Sequence, residues 1–223
     1  NAADDAKKAR IEFSRALGAY IDMVATGVRD GSGGQQALRS AAEVGDKWVF
    51  KRIESELRRA RYMTRAPWDS LHGLADELDV VVASAHSKLR MDATAMTRRL
   101  VAAASHPRVD VLGHVTGRLI AGERGTRPPS TFDARAVFDA CAAHGVAVEI
   151  NARPEREDPP DELIAVALEA GCLFAIDSDA HAPGELGLLD EGAARAERAG
   201  VPPERIVTTW PLDRLRAWTA RAR

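Results

Sequence analysis

Apolar residues recur at helical spacing through the first third of the chain, then collapse into short continuous runs. Ile11, Leu17, Ile21, Val24 and Val28 lie on one helical stripe. The glycine-rich turn at Asp30–Gly34 ends it. A second helix is predicted from near Gln35 to the Ala41–Glu43 region, and a third carries Trp48, Val49, Ile53 and Leu57. A fourth starts near Pro67 with Trp68, Leu71 and Leu74 on one face. No stretch before residue 78 shows the two-residue alternation of an amphipathic strand.

At Val80 the pattern changes. Four short apolar runs follow, at Val80–Ser84, Val109–Gly113, Val146–Ile150 and Leu173–Asp177. Each precedes a helical stretch: about Ala93–Ser105, Asp133–Ala143, Asp161–Ala170 and Leu188–Gly200, with a last helix over Leu212–Arg221. Repeated strand–helix units predict a parallel sheet wrapped by helices. Right-handed crossovers then bring the C-terminal ends of all strands to one edge. The expected organisation is an all-α segment over residues 1–78 and an α/β unit over residues 79–223.

Composition narrows this only a little. The chain has 223 residues, 45% hydrophobic and 29% charged, with 31 basic against 33 acidic side chains. A net charge of −2 gives no overall attraction to nucleic acid or anionic lipid. Cys141 and Cys172 have no CxxC spacing and read as buried reduced thiols. No apolar run is long enough to span a bilayer, so a cytoplasmic location is expected. Asn1, rather than Met, opens the sequence, which points to an excised or processed piece.

The candidate chemistry gathers at one sheet edge. His86 follows the first strand and His114 ends the second. Glu149 and Asn151 end the third, and Asp177, Asp179 and His181 follow the fourth. A lone histidine is more often structural than a ligand, but groups at four matching strand ends are hard to assign to chance. Along the third strand Val146, Val148 and Ile150 face one way and Glu149 and Asn151 the other, so the carboxylate needs a polar partner or a metal. Histidine with carboxylate suits divalent Zn, Mn or Fe. Arg118, in a glycine-containing loop, and Arg153 and Arg156, just past Asn151, suit phosphate oxygens; for Arg118 and Arg153 a solvated, salt-bridged loop explains the charges equally well. His72, His106 and His144 lack this placement and read as surface or turn residues.

The stretches "ASAHSKLRM", "VLGHVTGRLI", "AVEINARPEREDPP" and "IDSDAHAPGEL" resemble the later motifs of PHP-family phosphoesterases, nearest to those attached to family X DNA polymerases in bacteria. The resemblance runs from residue 79 to residue 223. It implies part of a distorted seven-stranded α/β barrel with a multi-metal site. On that resemblance His86 and His114 share one metal, Asp179 serves a second and His181 a third. Arg118, Arg153 and Asn151 would meet the substrate phosphate. The implied activity is hydrolysis of phosphomono- or phosphodiesters by metal-activated water, with nucleic acid among the substrates.

That family's opening HxH motif and bridging glutamate have no counterpart; "WDSLHGLADELD" stands where the glutamate is expected. The expected hydrolase is therefore impaired, and a non-catalytic chimera or remnant is the alternative. Residues 10–78 resemble the cytoplasmic helical domain of type II secretion system F proteins of the Tad type, which offers a third reading as an assembly module. Four strands are too few to close such a barrel. The helices are thus expected to cover the open edge, or the chain to self-associate there.

Overall fold

The computed structural model describes residues 30–62, 79–122, 125–180 and 183–221, with residues 12, 13, 15–17, 19, 20, 23, 24, 26 and 27. The chain divides into two compact units, Asn1–Glu77 and Leu78–Arg223.

The described residues between 12 and 27 are helical. Two further helices follow, α1 (Gly34–Val44) and α2 (Trp48–Tyr62). Their apolar positions at spacings of three and four bury Ala37, Leu38, Ala41 and Ala42 from α1, and Val49, Phe50, Ile53 and Leu57 from α2. Tyr20 stands edge-on to Phe50 and donates its hydroxyl to the Leu38 carbonyl at 3.1 Å. Trp48 stays half-exposed and stacks on Phe13 with ring centroids 5.9 Å apart. The helix expected after Pro67, with Trp68, Leu71, His72 and Leu74, lies outside the described residues.

The second unit is α/β. Strands β1 (Val82–Ser84), β2 (Val111–Gly113), β3 (Ala147–Asn151) and β4 (Leu173–Asp177) form one parallel sheet in sequential order. Helices α3 (Ala93–Ala104), α4 (Ala134–His144) and α5 (Asp161–Glu169) link them; α6 (Leu189–Arg198) and α7 (Leu212–Thr219) follow. Local chemistry sets the helix ends. Asp92 and Asp133 accept the amides of Ala95 and Ala136 as N-caps at 2.9 and 3.0 Å. Gly145, at φ 65°, closes α4 in the left-handed conformation.

β1 and β2 are shorter than the apolar runs that contain them. The Val81 carbonyl receives both Asp110 N and Val111 N, and the Asp110 carboxylate accepts Val81 N at 2.9 Å. A side chain thus replaces the next ladder rung.

Both sheet faces are packed, as parallel sheets require. Val148, Ile150, Phe174 and Ile176 meet Phe138, Ile164, Leu100 and Met96 in the larger core. Val111, Ala147 and Ala175 face Val207 and Trp218 on the other side. The sheet's β4 side carries one further bridge, Phe174 to Ile206. Among the described residues β1 is the opposite edge, with Val80 and Val82 exposed. No described helix is long and apolar enough to cross a membrane.

Candidate functional site

The parallel register aligns the strand ends. Ser84 pairs with Gly113, and Asn151 with Asp177. The segments leaving β1, β2, β3 and β4 therefore begin at one edge, carrying His86, His114, Asn151 and Asp179 respectively. Gly113 is needed where β2 ends. A Cβ there would stand 2.4 Å from Ser84 Oγ and 2.9 Å from Val82 Cγ1. The next residue, His114, takes φ 23°, and Asp179 takes φ 47°. Two non-glycine residues in left-handed backbone, just past β2 and just past β4 on the same sheet edge, fit a functional edge, where such strain collects.

His86 and His114 meet edge to face, with ring centroids 4.9 Å apart and planes at 86°. His114 is buried and its Nδ1 has no hydrogen-bond partner. Burial, reinforced by the Arg156 guanidinium, pushes His114 down to about 4. His86 is lowered by the same two causes. Both imidazoles are neutral at pH 7, the state in which a ring nitrogen can bind a metal.

A hydrogen-bonded chain runs across the sheet edge below them. The His114 backbone N–H donates to Glu149 Oε2. Asn151 Nδ2 donates to the same oxygen at 3.2 Å and to Asp179 Oδ2 at 3.3 Å. Arg156 Nε donates to Asp179 Oδ2 at 2.8 Å. Burial, with Asp177 beside it, pushes the Glu149 carboxyl well above the usual range. Glu149 thus has the polar partners its strand position demands.

The arginines are anchored differently. Arg118 donates Nε to the Arg156 carbonyl at 2.9 Å and reaches the Glu157 carbonyl through Nη2. Arg153 pairs with Glu155 and Glu185, each at 3.1 Å, and donates Nη1 to the Asp179 carbonyl at 3.0 Å. Arg156 is as buried as the core, yet its Nη1 has no hydrogen-bond partner. Asp158 is fully buried and gathers Thr116 N, Thr116 Oγ1 and Arg118 N at 3.1, 2.9 and 3.2 Å. It thereby ties the loop after β2 to the loop after β3.

The structure thus sets His86 against His114 and Asn151 against Asp179, with Arg153 on the Asp179 carbonyl and Arg118 held on the Arg156 and Glu157 carbonyls. His181 lies outside the described residues. His106 and His144 are exposed, away from the site. Among the described residues no three His, Cys, Asp or Glu groups converge to hold a metal. The orphaned His114 Nδ1 beside the His86 ring does fit two ligands of one ion. Asp158, in its role, and Arg156, in its burial, are what the sequence conceals. They sit in "NARPEREDPP", where alternating charges give no periodicity from which to read burial.

No family model matches the chain. Curated relatives do. The DNA polymerase/3'-5' exonuclease PolX of Bacillus subtilis is 29% identical over 145 residues, covering 65% of this chain and 25% of that protein. A probable phosphatase of Vibrio parahaemolyticus is 32% identical over 141 residues, covering 59% of this chain and 53% of that protein. The probable phosphatase YcdX of Escherichia coli K12 is 28% identical over 144 residues, covering 61% and 55%. These relatives support a PHP-type phosphoesterase relationship at low identity. The chain spans about half the length of the two phosphatases and a quarter of the polymerase. The resemblance of residues 10–78 to a secretion-system domain, expected from the sequence, finds no support in these three relatives.

Proposed function

We propose that the second unit hydrolyses phosphomono- or phosphodiesters, with a divalent ion of the Zn, Mn or Fe kind as cofactor, on part of a PHP-type α/β barrel. The observation that carries this reading is the His86–His114 pair, with its unpartnered buried nitrogen, at the strand-end edge that also holds Asn151 and Asp179. His86 and His114 would hold the ion, and Asp179 and His181 would be further ligands. When bound, such an ion lowers the pKa of adjacent water and neutralises phosphoryl charge.

The chain's own residues prepare the place. Burial keeps both imidazoles neutral. Glu149 and Asn151 fix the backbone at His114 and the carboxylate of Asp179. Arg118, Arg153 and Asn151 would stand on the phosphate side, and single-stranded nucleic acid is one substrate to test.

A non-catalytic reading is favoured by one observation: Asp179 Oδ2 is already engaged by both Arg156 and Asn151. Elemental analysis after dialysis, with phosphomonoester and single-stranded DNA assays in Mn²⁺, separates the two. The hydrolase reading expects bound metal that falls in His114→Ala and weak turnover abolished by Asp179→Ala. Metal content unchanged in His114→Ala removes the ligand assignment. Absence of turnover in every divalent ion leaves the remnant. For the helical unit the alternative is an assembly role, tested by whether the chain pulls down pilus-assembly components.

A further inference from the structure

Two buried polar atoms among the described residues lack a partner, His114 Nδ1 and Arg156 Nη1. Both residues belong to one connected network. From the His114 backbone N–H it passes through Glu149, Asn151 and Asp179 to Arg156 Nε. Each of those links is a hydrogen bond, while the His114 imidazole Nδ1 and Arg156 Nη1 have none. A buried guanidinium N–H left unpaired carries the full desolvation penalty of a charged group. Such a cost is retained where a ligand supplies the missing acceptor.

The three arginines of the site are unequal in this respect. Arg118 spends Nε and Nη2 on the carbonyls of Arg156 and Glu157. Arg153 spends its guanidinium on Glu155, Glu185 and the Asp179 carbonyl. Both hold the loop in shape. Only Arg156 is fixed at one nitrogen, by Asp179 at 2.8 Å, with another nitrogen buried and unpartnered. The loop around it is doubly secured, because Arg118 grips the Arg156 carbonyl and Asp158 grips the Arg118 amide. The guanidinium is held in place with a donor to spare.

We propose that Arg156 is the phosphate-contacting residue of this site, donating through Nη1 to a phosphate oxygen beside the His86–His114 pair. This rests on the phosphate-ester reading above and assigns the group that recognises the ester. Asp179 half-neutralises Arg156, and Asp177 and Glu149 lie close by, so affinity for the bare anion is modest. A guanidinium fork fixed at one nitrogen differs from an ammonium here, because Lys cannot keep the Asp179 contact and reach the phosphate together.

The test is binding of inorganic phosphate to the whole 223-residue chain, in chelator without added metal, followed by calorimetry and phosphorus NMR. Saturable binding in the millimolar range is expected. Arg156→Gln should weaken it at least ten-fold and Arg156→Lys several-fold. Asp179→Asn should tighten it several-fold by removing the competing carboxylate. Circular dichroism checks that each variant folds; if Arg156→Gln does not, Asp179→Asn decides, and unchanged or weaker binding there overturns the assignment. Phosphate binding equal in wild type and Arg156→Gln, or no saturable binding at all, also overturns it. Arg156-dependent phosphate binding in a chain that turns over no ester in any divalent ion would uphold the anion site and sink the hydrolase reading. Turnover without Arg156-dependent binding would do the reverse.

Discussion

Removing the Asp158 carboxylate should unfasten the site before it damages the core. Asp158 is fully buried and collects three donors, Thr116 N, Thr116 Oγ1 and Arg118 N. Burial pushes its carboxyl up, against the pull of the Thr116 and Arg118 donors. Asp158→Ala strands those donors, at about 1–3 kcal/mol for each that water cannot reach. Relief of a buried charge offsets part of this, leaving a net loss of about 3 kcal/mol. For a unit of this size that lowers the melting temperature by roughly 10 °C. Asp158→Asn keeps an acceptor but points an amide donor at other donors, and should lose about half as much. Calorimetry of both variants measures the loss, and hydrogen exchange at residues 115–118 locates it. An Asp158→Ala variant melting within about 2 °C of wild type, with unchanged exchange there, would refute the reasoning.

Gly113→Ala forces a Cβ against Ser84 Oγ and Val82 Cγ1, so β1 must shift. A loss of about 1–3 kcal/mol is expected by chemical denaturation, together with lower metal content as His86 moves from His114. Burial raises both Cys141 and Cys172 to about 12. Neither thiol should react with a disulfide reagent at pH 8 until the chain unfolds. Because an unfolded thiol ionises near its ordinary value while the folded one does not, stability should fall as pH rises from about 9 toward 12. Cys172→Ser, which keeps a donor for the Phe138 carbonyl, should flatten that fall; an identical alkaline profile would refute it. If the edge strand β1 recruits a second copy, Val82→Lys should remove concentration-dependent association in sedimentation experiments. A wild-type chain that is monomeric at all concentrations refutes that expectation.

Periodicity made the α/β unit legible. Each of the four apolar runs holds a strand, and β4 coincides with its run from Leu173 to Asp177. The parity of the third run is also present, since Val148 and Ile150 enter the larger core while Ala147 faces Val207 and Trp218. The runs at Val80 and Val109 overstate their strands, because hydropathy does not register that Asp110 takes over a ladder hydrogen bond with its side chain. At the site, residue type and strand-end position single out His86, His114, Asn151 and Asp179. What they do not reveal is the division of labour among the arginines. Arg118, Arg153 and Arg156 have the same charge and lie in similar loops, and only their acceptors distinguish them. Burial of Arg156 and Asp158 depends on contacts between residues some 40 positions apart, such as Arg118 N with Asp158 Oδ2. No local pattern encodes such contacts.

β3 lies between two apolar layers and pairs on both sides, with β2 and with β4. Its last residue is Asn151, the hub between Glu149 and Asp179. The centre of the site is therefore anchored in the part of the unit whose opening requires global unfolding. Its neighbours on the loops can fluctuate, exchange ligands or accept substitutions around a centre that does not. A lineage that lost the activity would on this account keep the shape of the site for as long as it kept the fold, because selection for a packed core alone preserves β3.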